Sequence, residues 1–575
     1  MIKLFRLLRQ FRAPIGVVMV LALAQSFANL YLPRLMADIV DHGIVPGDTR
    51  RILEIGALML VVAMIGTVCA VAGSFVTAQV ATGFGRVVRG RIFERAARLS
   101  THQFDQFGTA SLITRTTNDT TQVQQVALML LSMGVTAPMM AIGGVVLSLS
   151  QDAALARVLI AVIPVIAVVF FVIMWKAVPL FQQVQVQIDR LNLVLDEGLS
   201  GVRVIRAFDR GAHESRRFDA ANRDLTDTSI AVNRLMALLL PAMFLMMNVT
   251  SVLIIWFGAV RIDAVSMHVG AMMASLQYAI QILFAVFMVT AVFVMLPRAA
   301  ASAARINEVL DVVPEIADPA SPQPAGPSRG QVEFRDVTFR YPGAEEPALT
   351  GVSFTALPGQ VTAIIGGTGS GKSTLAGLIP RFYDVNDGGV LVDGVDVREW
   401  RQVDLRARIG YVPQQAVLFS GTIAGNITFG LDHAADEVMR HAAIVAQAAE
   451  FIDRMPEGYD SAVAQGGTNL SGGQKQRLAI ARALVRRSDI YVFDDSFSAL
   501  DFATDARLRA ALKADIAAAT IVIVSQRIGT VMNADRIVVL DDGRVAGIGT
   551  HAELLNTCVV YREIAASQAS LEEVA

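Results

Sequence analysis

The sequence predicts a membrane α-helical domain of six transmembrane helices followed by an α/β domain with a phosphate-binding loop, and three observations predict it. Six long apolar stretches crowd into about the first 300 residues. A proline-rich tract closes them off. Beyond it, short β-branched runs alternate with helical patterns, and one run opens into a glycine-rich loop.

Composition agrees with a membrane class. Of 575 residues, 54% are hydrophobic and 17% charged, against about 45–50% and about 25% in soluble domains. The net charge of −2 gives no case for nucleic-acid binding. Cys69 and Cys558 fall in different halves, so no disulfide framework is expected and the polar half suits a reducing compartment. Lys3, Arg6, Arg9 and Arg12 precede an apolar run with no small-residue cleavage site behind it. That start reads as the flank of a membrane helix, not as a cleaved signal peptide.

The apolar stretches lie at roughly 14–33, 55–80, 126–149, 155–175, 236–260 and 270–297, each near the ~20 residues that a bilayer requires. The third, fifth and sixth contain no Asp, Glu, Lys or Arg. The intervening segments alternate between long and short, and the long ones, 81–125 and 176–235, hold an arginine excess. The positive-inside rule places them and both termini in the cytoplasm. Their helical periodicity runs on from the flanking spans, so the helices are expected to project beyond the membrane. This gives a transmembrane domain of residues 1–311, a Pro-rich extended linker of 312–330, and a nucleotide-binding domain of 331–575.

In the last of these, the strand Val361-Thr-Ala-Ile-Ile leads into Gly366, Gly367, Thr368, Gly369, Ser370, Gly371, Lys372 and Ser373, with a helical pattern from Thr374 onward. Strand, glycine loop and helix in that order form a phosphate-binding loop, whose backbone N–H groups face the phosphates. Lys372 would reach the β- and γ-phosphates and Ser373 would ligate Mg²⁺. Downstream, the apolar strand Ile490-Tyr-Val-Phe ends in Asp494 and Asp495. In this setting the first carboxylate holds Mg²⁺, and the second position is where a glutamate would polarise water.

With Leu470-Ser-Gly-Gly-Gln474 added, the chain resembles the ATP-binding-cassette (ABC) transporters, and specifically half-transporters of the exporter fold, over nearly its full length. The resemblance implies an α/β P-loop ATPase domain with a helical subdomain, ATP and Mg²⁺ as its nucleotide and cofactor, and a translocase ATPase activity. It makes Tyr341 the aromatic that stacks on adenine, and Gln414 the glutamine beside the metal that links the ATP site to the membrane domain. It makes 470–474 the signature, with Ser471, Gly473 and Gln474 acting on ATP held by a second chain. Ser498-Ala-Leu-Asp501 becomes the loop crossing the dimer interface. Two short coupling helices are expected near 108–113 and 208–213.

Three departures from the family pattern stand out. Asp495 replaces the catalytic glutamate, Gln526 replaces the switch histidine, and 463–467 lacks the usual acidic and basic pair. A carboxylate one methylene short displaces the base by about 1.5 Å, and misplacement near 1 Å costs on the order of 10²-fold in rate. The resemblance therefore points to the degenerate-site subunit of a heterodimeric exporter. Its partner would be a homologous half-transporter with intact glutamate and histidine. The spans carry few polar residues, and 19 of 22 methionines precede the linker, so a small hydrophobic or amphipathic substrate, such as a lipid or drug-like molecule, is expected. An importer on the same fold is the second class; an ATP-gated channel or regulatory subunit is the third. With membrane lipid as its surroundings and no organelle-targeting feature, the expected location is a cell inner or plasma membrane, multi-pass, with the ATPase domain cytoplasmic.

Overall fold

The structure, a computed structural model, describes residues 1–323, 326, 328–431 and 433–572; Pro324, Ala325 and Pro327 of the expected linker lie outside the described residues. The chain divides into two compact units, residues 1–96 with 110–311, and residues 97–109 with 312–575.

In chain order the helices begin with α1 (Ile2–Ile44) and α2 (Thr49–Ala96). The short α3 (Thr101–Phe107) precedes α4 (Thr109–Gln151) and α5 (Ala153–Ser200). The short α6 (Val202–Ala207), α7 (Gly211–Asp263) and α8 (Val269–Asp311) follow. Among the described residues, six of these helices are long and apolar enough to cross a membrane. Their outward faces stay apolar, as at Leu60, Met64, Val68 and Phe75 on α2, which is the surface a bilayer covers. Inside the bundle, Leu30, Leu155, Ile254, Tyr278 and Ile282 pack together, and the Tyr278 hydroxyl donates to the Leu30 carbonyl at 3.1 Å. Both α2 and α5 run for 48 residues, well past the ~20 that span a bilayer. Near the ends remote from that cluster, the fully buried Asp119 accepts from Arg305 and Ser302, and Arg115 pairs with Glu308 at 3.0 Å.

The short helices sit earlier than the sequence reading placed them. Residue Gly108, at φ +71°, breaks the chain after α3, and 109–113 already belongs to α4. Likewise, 208–210 is a turn with Asp209 at φ +50°, flanked by α6 and α7. Helix α3 belongs to the second unit, where Ser100 and Gln103 cap it reciprocally. The Ser100 hydroxyl also donates to Glu315 at 2.9 Å, and the Gln103 amide donates to the Val313 carbonyl at 2.9 Å.

The rest of the second unit is built on two large sheets and a two-stranded one. In chain order the strands are β1 (Val332–Phe339), β2 (Leu349–Ala356), β3 (Val361–Gly366), β4 (Asp387–Val392) and β5 (Val395–Asp396). Then come β6 (Ile409–Val412), β7 (Gly421–Thr422), β8 (Ala462–Val463), β9 (Ile490–Asp494), β10 (Thr520–Val524), β11 (Arg536–Asp541) and β12 (Arg544–Gly549). An antiparallel sheet runs β2-β1-β4-β5, and a mostly parallel one runs β12-β11-β3-β10-β9-β6. The parallel strands are apolar on both faces because both are covered. On β9, Ile490 and Val492 face the core shared with the antiparallel sheet, while Tyr491 and Phe493 face a helical core that includes Ile423, Met439, Ile452 and Leu478. A third core, under β3 and β11, holds Ile365, Val539, Leu554 and Tyr561.

Candidate functional site

Three adjacent parallel strands set the site. In register, Ile364 of β3 lies beside Val524 of β10, which lies beside Asp494 of β9. The loops after these strands therefore leave the same sheet edge side by side, the usual place for a ligand in an open α/β sheet. They carry the glycine loop, Gln526, and the Asp494-Asp495 pair.

The glycine loop turns into α9 (Lys372–Leu378). Gly371 has φ +93°, and a Cβ there would lie 2.7 Å from Leu349 Cδ2 and 2.8 Å from the Ala348 carbonyl, so only glycine fits. The N–H groups of the first turn of α9 lack intrahelical partners and open onto the loop. Lys372 is buried, and its ammonium donates to the carbonyls of Gly366 at 2.9 Å and Gly367 at 2.5 Å. Burial pulls its pKa down, while Asp495 and Asp494 pull it up.

Ser373 donates to Asp494 at 2.9 Å, and the Tyr411 hydroxyl reaches the other carboxylate oxygen at 3.4 Å. Burial, with the neighbouring Asp495, pushes the Asp494 carboxyl above its ordinary range against those two hydrogen bonds. The Asp495 carboxyl is also pushed up by burial, opposed by Lys372, Arg527 and a hydrogen bond from Gln414. Its backbone is left-handed, at φ +44°. A hydroxyl and a carboxylate in contact are hard oxygen donors, suited to Mg²⁺, which takes one or two carboxylates together with substrate phosphates.

Tyr341 stands at the rim, its hydroxyl bonded to Thr374 at 2.9 Å and its ring edge-on to Phe339 and Tyr383. Gln526 follows β10 with an exposed side chain. Its backbone carbonyl accepts from Gln568 at 2.7 Å. The structure thus gathers Tyr341, residues 366–374, Gln414, Asp494, Asp495 and Gln526 at one edge.

The signature residues are placed elsewhere. Ser471 caps α10 (Gly472–Leu484), and it and Gln474 bond to each other, not to the glycine loop. A Cβ on Gly473 would lie 3.2 Å from the Ala499 carbonyl, so the signature packs beneath the 498–501 loop. Sequence reasoning missed Tyr411, Arg527 and Gln568. Tyr411 and Arg527 sit next to residues it had singled out, whereas Gln568 lies 42 positions from its partner.

Comparison with known proteins gives the site its relatives. Residues 15–286 match the ABC transporter transmembrane region, and residues 349–498 match the ABC transporter family. An uncharacterized ABC transporter ATP-binding protein of Mycobacterium tuberculosis is 44% identical over 565 residues, covering 98% of this chain and 97% of the relative. An ATP-dependent lipid A-core flippase of Pseudomonas aeruginosa is 34% identical over 513 residues, 88% of this chain and 84% of the relative. Among solved structures, a bacterial Atm1-family ABC exporter with ATP bound has a TM-score of 0.81 at 27% identity, covering 98% of each chain.

Proposed function

Because this chain belongs to the ABC transporter family, as a half-transporter of the exporter fold, we propose that it is the degenerate-site subunit of a heterodimeric ATP-driven exporter. The family implies ATP binding, usually with Mg²⁺, and ATP hydrolysis that drives transport. In the proposed arrangement the N–H groups of residues 367–373 cradle the phosphates, Lys372 neutralises their charge, and Tyr341 takes the adenine. Ser373 and Asp494, with Gln414 nearby, would hold Mg²⁺, which when bound screens the phosphate charge.

The observation that carries the reading is the pair Asp495 and Gln526 at the edge where β9 and β10 end. The Asp495 carboxylate is one methylene shorter than a glutamate. A glutamine at 526 can hydrogen-bond a phosphate oxygen but cannot carry charge. Ser471, Gly473 and Gln474 would serve the partner's ATP, with the hydrolytic glutamate and histidine supplied by the partner.

Cargo is proposed to be a hydrophobic or amphipathic molecule such as a lipid. Two features support that class: a pocket between α5, α7 and α8 lined by apolar residues that include Phe170, Met243, Met246, Leu283 and Phe287, and relatives named as lipid A-core flippases. The expected location is a bacterial inner or plasma membrane.

The test uses this chain purified alone. Two copies would carry two intact signatures and two degenerate loops, so the unmodified protein should hydrolyse ATP slowly. The Asp495→Glu/Gln526→His double variant should raise turnover, on the order of 10²-fold. Fast turnover by the unmodified chain, or no rise on restoration, overturns the degenerate-site reading.

A further inference from the structure

The loop that carries Gln526 is held from behind by the last described helix. That helix, α14 (Val559–Glu572), follows α11 (Phe502–Asp515), α12 (Ile528–Val531) and α13 (His551–Thr557). Tyr561 and Ile564 fix α14 onto the core beneath β3 and β11, Tyr561 fully buried and Ile564 partly. Gln568 continues that face at i, i+3 and i+7, the spacing that puts side chains in one helical stripe.

The Gln568 side chain meets the backbone on both sides of Arg527. Its Nε2 donates to the Gln526 carbonyl at 2.7 Å, and its Oε1 accepts from the Ile528 N–H at 2.8 Å. A primary amide donates and accepts at neighbouring atoms. It therefore pairs with the loop as another peptide would. Two more side chains brace the same loop: Arg527 donates to the Ser498 carbonyl at 3.0 Å, and Arg509 donates to the Gly529 carbonyl at 3.1 Å.

We propose that Gln568 is a positioning residue that fixes the backbone of Gln526 and so aims its side chain at the γ-phosphate of bound ATP. The proposal rests on Gln526 being the γ-phosphate position. It makes α14 part of the nucleotide site, with the selectivity for ATP over ADP set partly by a residue that touches neither.

The test measures the affinities of the purified full chain for fluorescent ATP and ADP analogues with Mg²⁺. Gln526→Ala is the reference. It should lower ATP affinity by about tenfold, the size of a hydrogen bond to a charged group, and leave ADP affinity unchanged. Gln568→Glu keeps the length and the acceptor for Ile528 but sets an oxygen against the Gln526 carbonyl. It should reproduce the loss for ATP alone, and Gln568→Asn, too short to reach, should do so in part. A merely structural role would weaken ATP and ADP alike. Loss in Gln526→Ala without loss in the Gln568 variants overturns the positioning role. No loss in Gln526→Ala overturns the γ-phosphate assignment and the proposal with it.

Discussion

Asp494 and Asp495 are two carboxylates at one strand end, and burial pushes both above the ordinary carboxylate range. For Asp494 the sign is definite. Its folded pKa lies above the ordinary value near ~3.9. Between the two values the folded chain keeps a proton that the unfolded chain has released, so the stability of the ligand-free protein falls as pH rises through that window. Above that window the cost is fully present. Asp494→Asn should therefore raise the melting temperature of the nucleotide-free protein, while the further rise that Mg²⁺ and ATP give the unmodified chain should vanish. Differential scanning fluorimetry with and without Mg²⁺-ATP measures both. A lower melting temperature without ligand would contradict the argument. At Asp495 the backbone adds a second preference. A left-handed φ is tolerated by Asp better than by most residues, because its short side chain bonds locally. Asp495→Glu should thus cost on the order of ~1 kcal/mol in stability even where it restores chemistry, a trade readable by comparing urea midpoints with turnover.

Elements were legible in the sequence where their signals were local. The loop after β3 and the strand ending in Asp494 each announce themselves within about ten residues, and six apolar runs sufficed for the spans. The position of α3 was also written locally, as Ser100-Thr-His-Gln103, a capping box; the family pattern drew the expected helix a few residues later. What no local pattern gives is the partner of a capped end. Glu315 receives the Ser100 hydroxyl, and Asp318 accepts from the N–H and side chain of Gln402, at the start of another short helix. One stretch of the linker thus ties two helix starts. Gln103→Ala removes the side-chain half of the capping box and the bond to Val313, so the amides of 100–104 should exchange faster in hydrogen–deuterium exchange while those of β9 and β10 stay protected. The membrane helices hold a comparable tie: Arg305→Ala would leave the buried Asp119 without its main donor. A buried charged acceptor left so costs about 1–3 kcal/mol or more, measurable as a lower thermal midpoint than that of Arg305→Lys.

At the scale of the molecule, the chain carries two half-sites that do not meet. The glycine loop, Asp494, Asp495 and Gln526 share one sheet edge, whereas Ser471 and Gln474 cap each other at the start of α10. Strand order, which brings β3, β10 and β9 together, could not be read from sequence because nothing local specifies which distant strands pair. The family pattern supplied the assignment of these residues to one site, and the register supplies its physical form. If the signature of one copy completes the loop of another, the halves should complement between copies. Two forms of this chain test it. One carries Asp495→Glu and Gln526→His to restore its loop, with Ser471→Arg to disable its signature. The other is unmodified, with the loop proposed to be slow and its signature intact. Neither alone can form a site with both parts sound. Co-expressed with different affinity tags and purified through both, the mixed dimer has one such site, made from the restored loop and the other copy's Ser471, Gly473 and Gln474. Phosphate release should therefore appear in the doubly purified dimer and be near background in each single form. Activity in the restored, Ser471→Arg form alone would mean the signature is dispensable. Silence of the mixed dimer, with the Asp495→Glu/Gln526→His homodimer active, would mean the signature acts within its own chain.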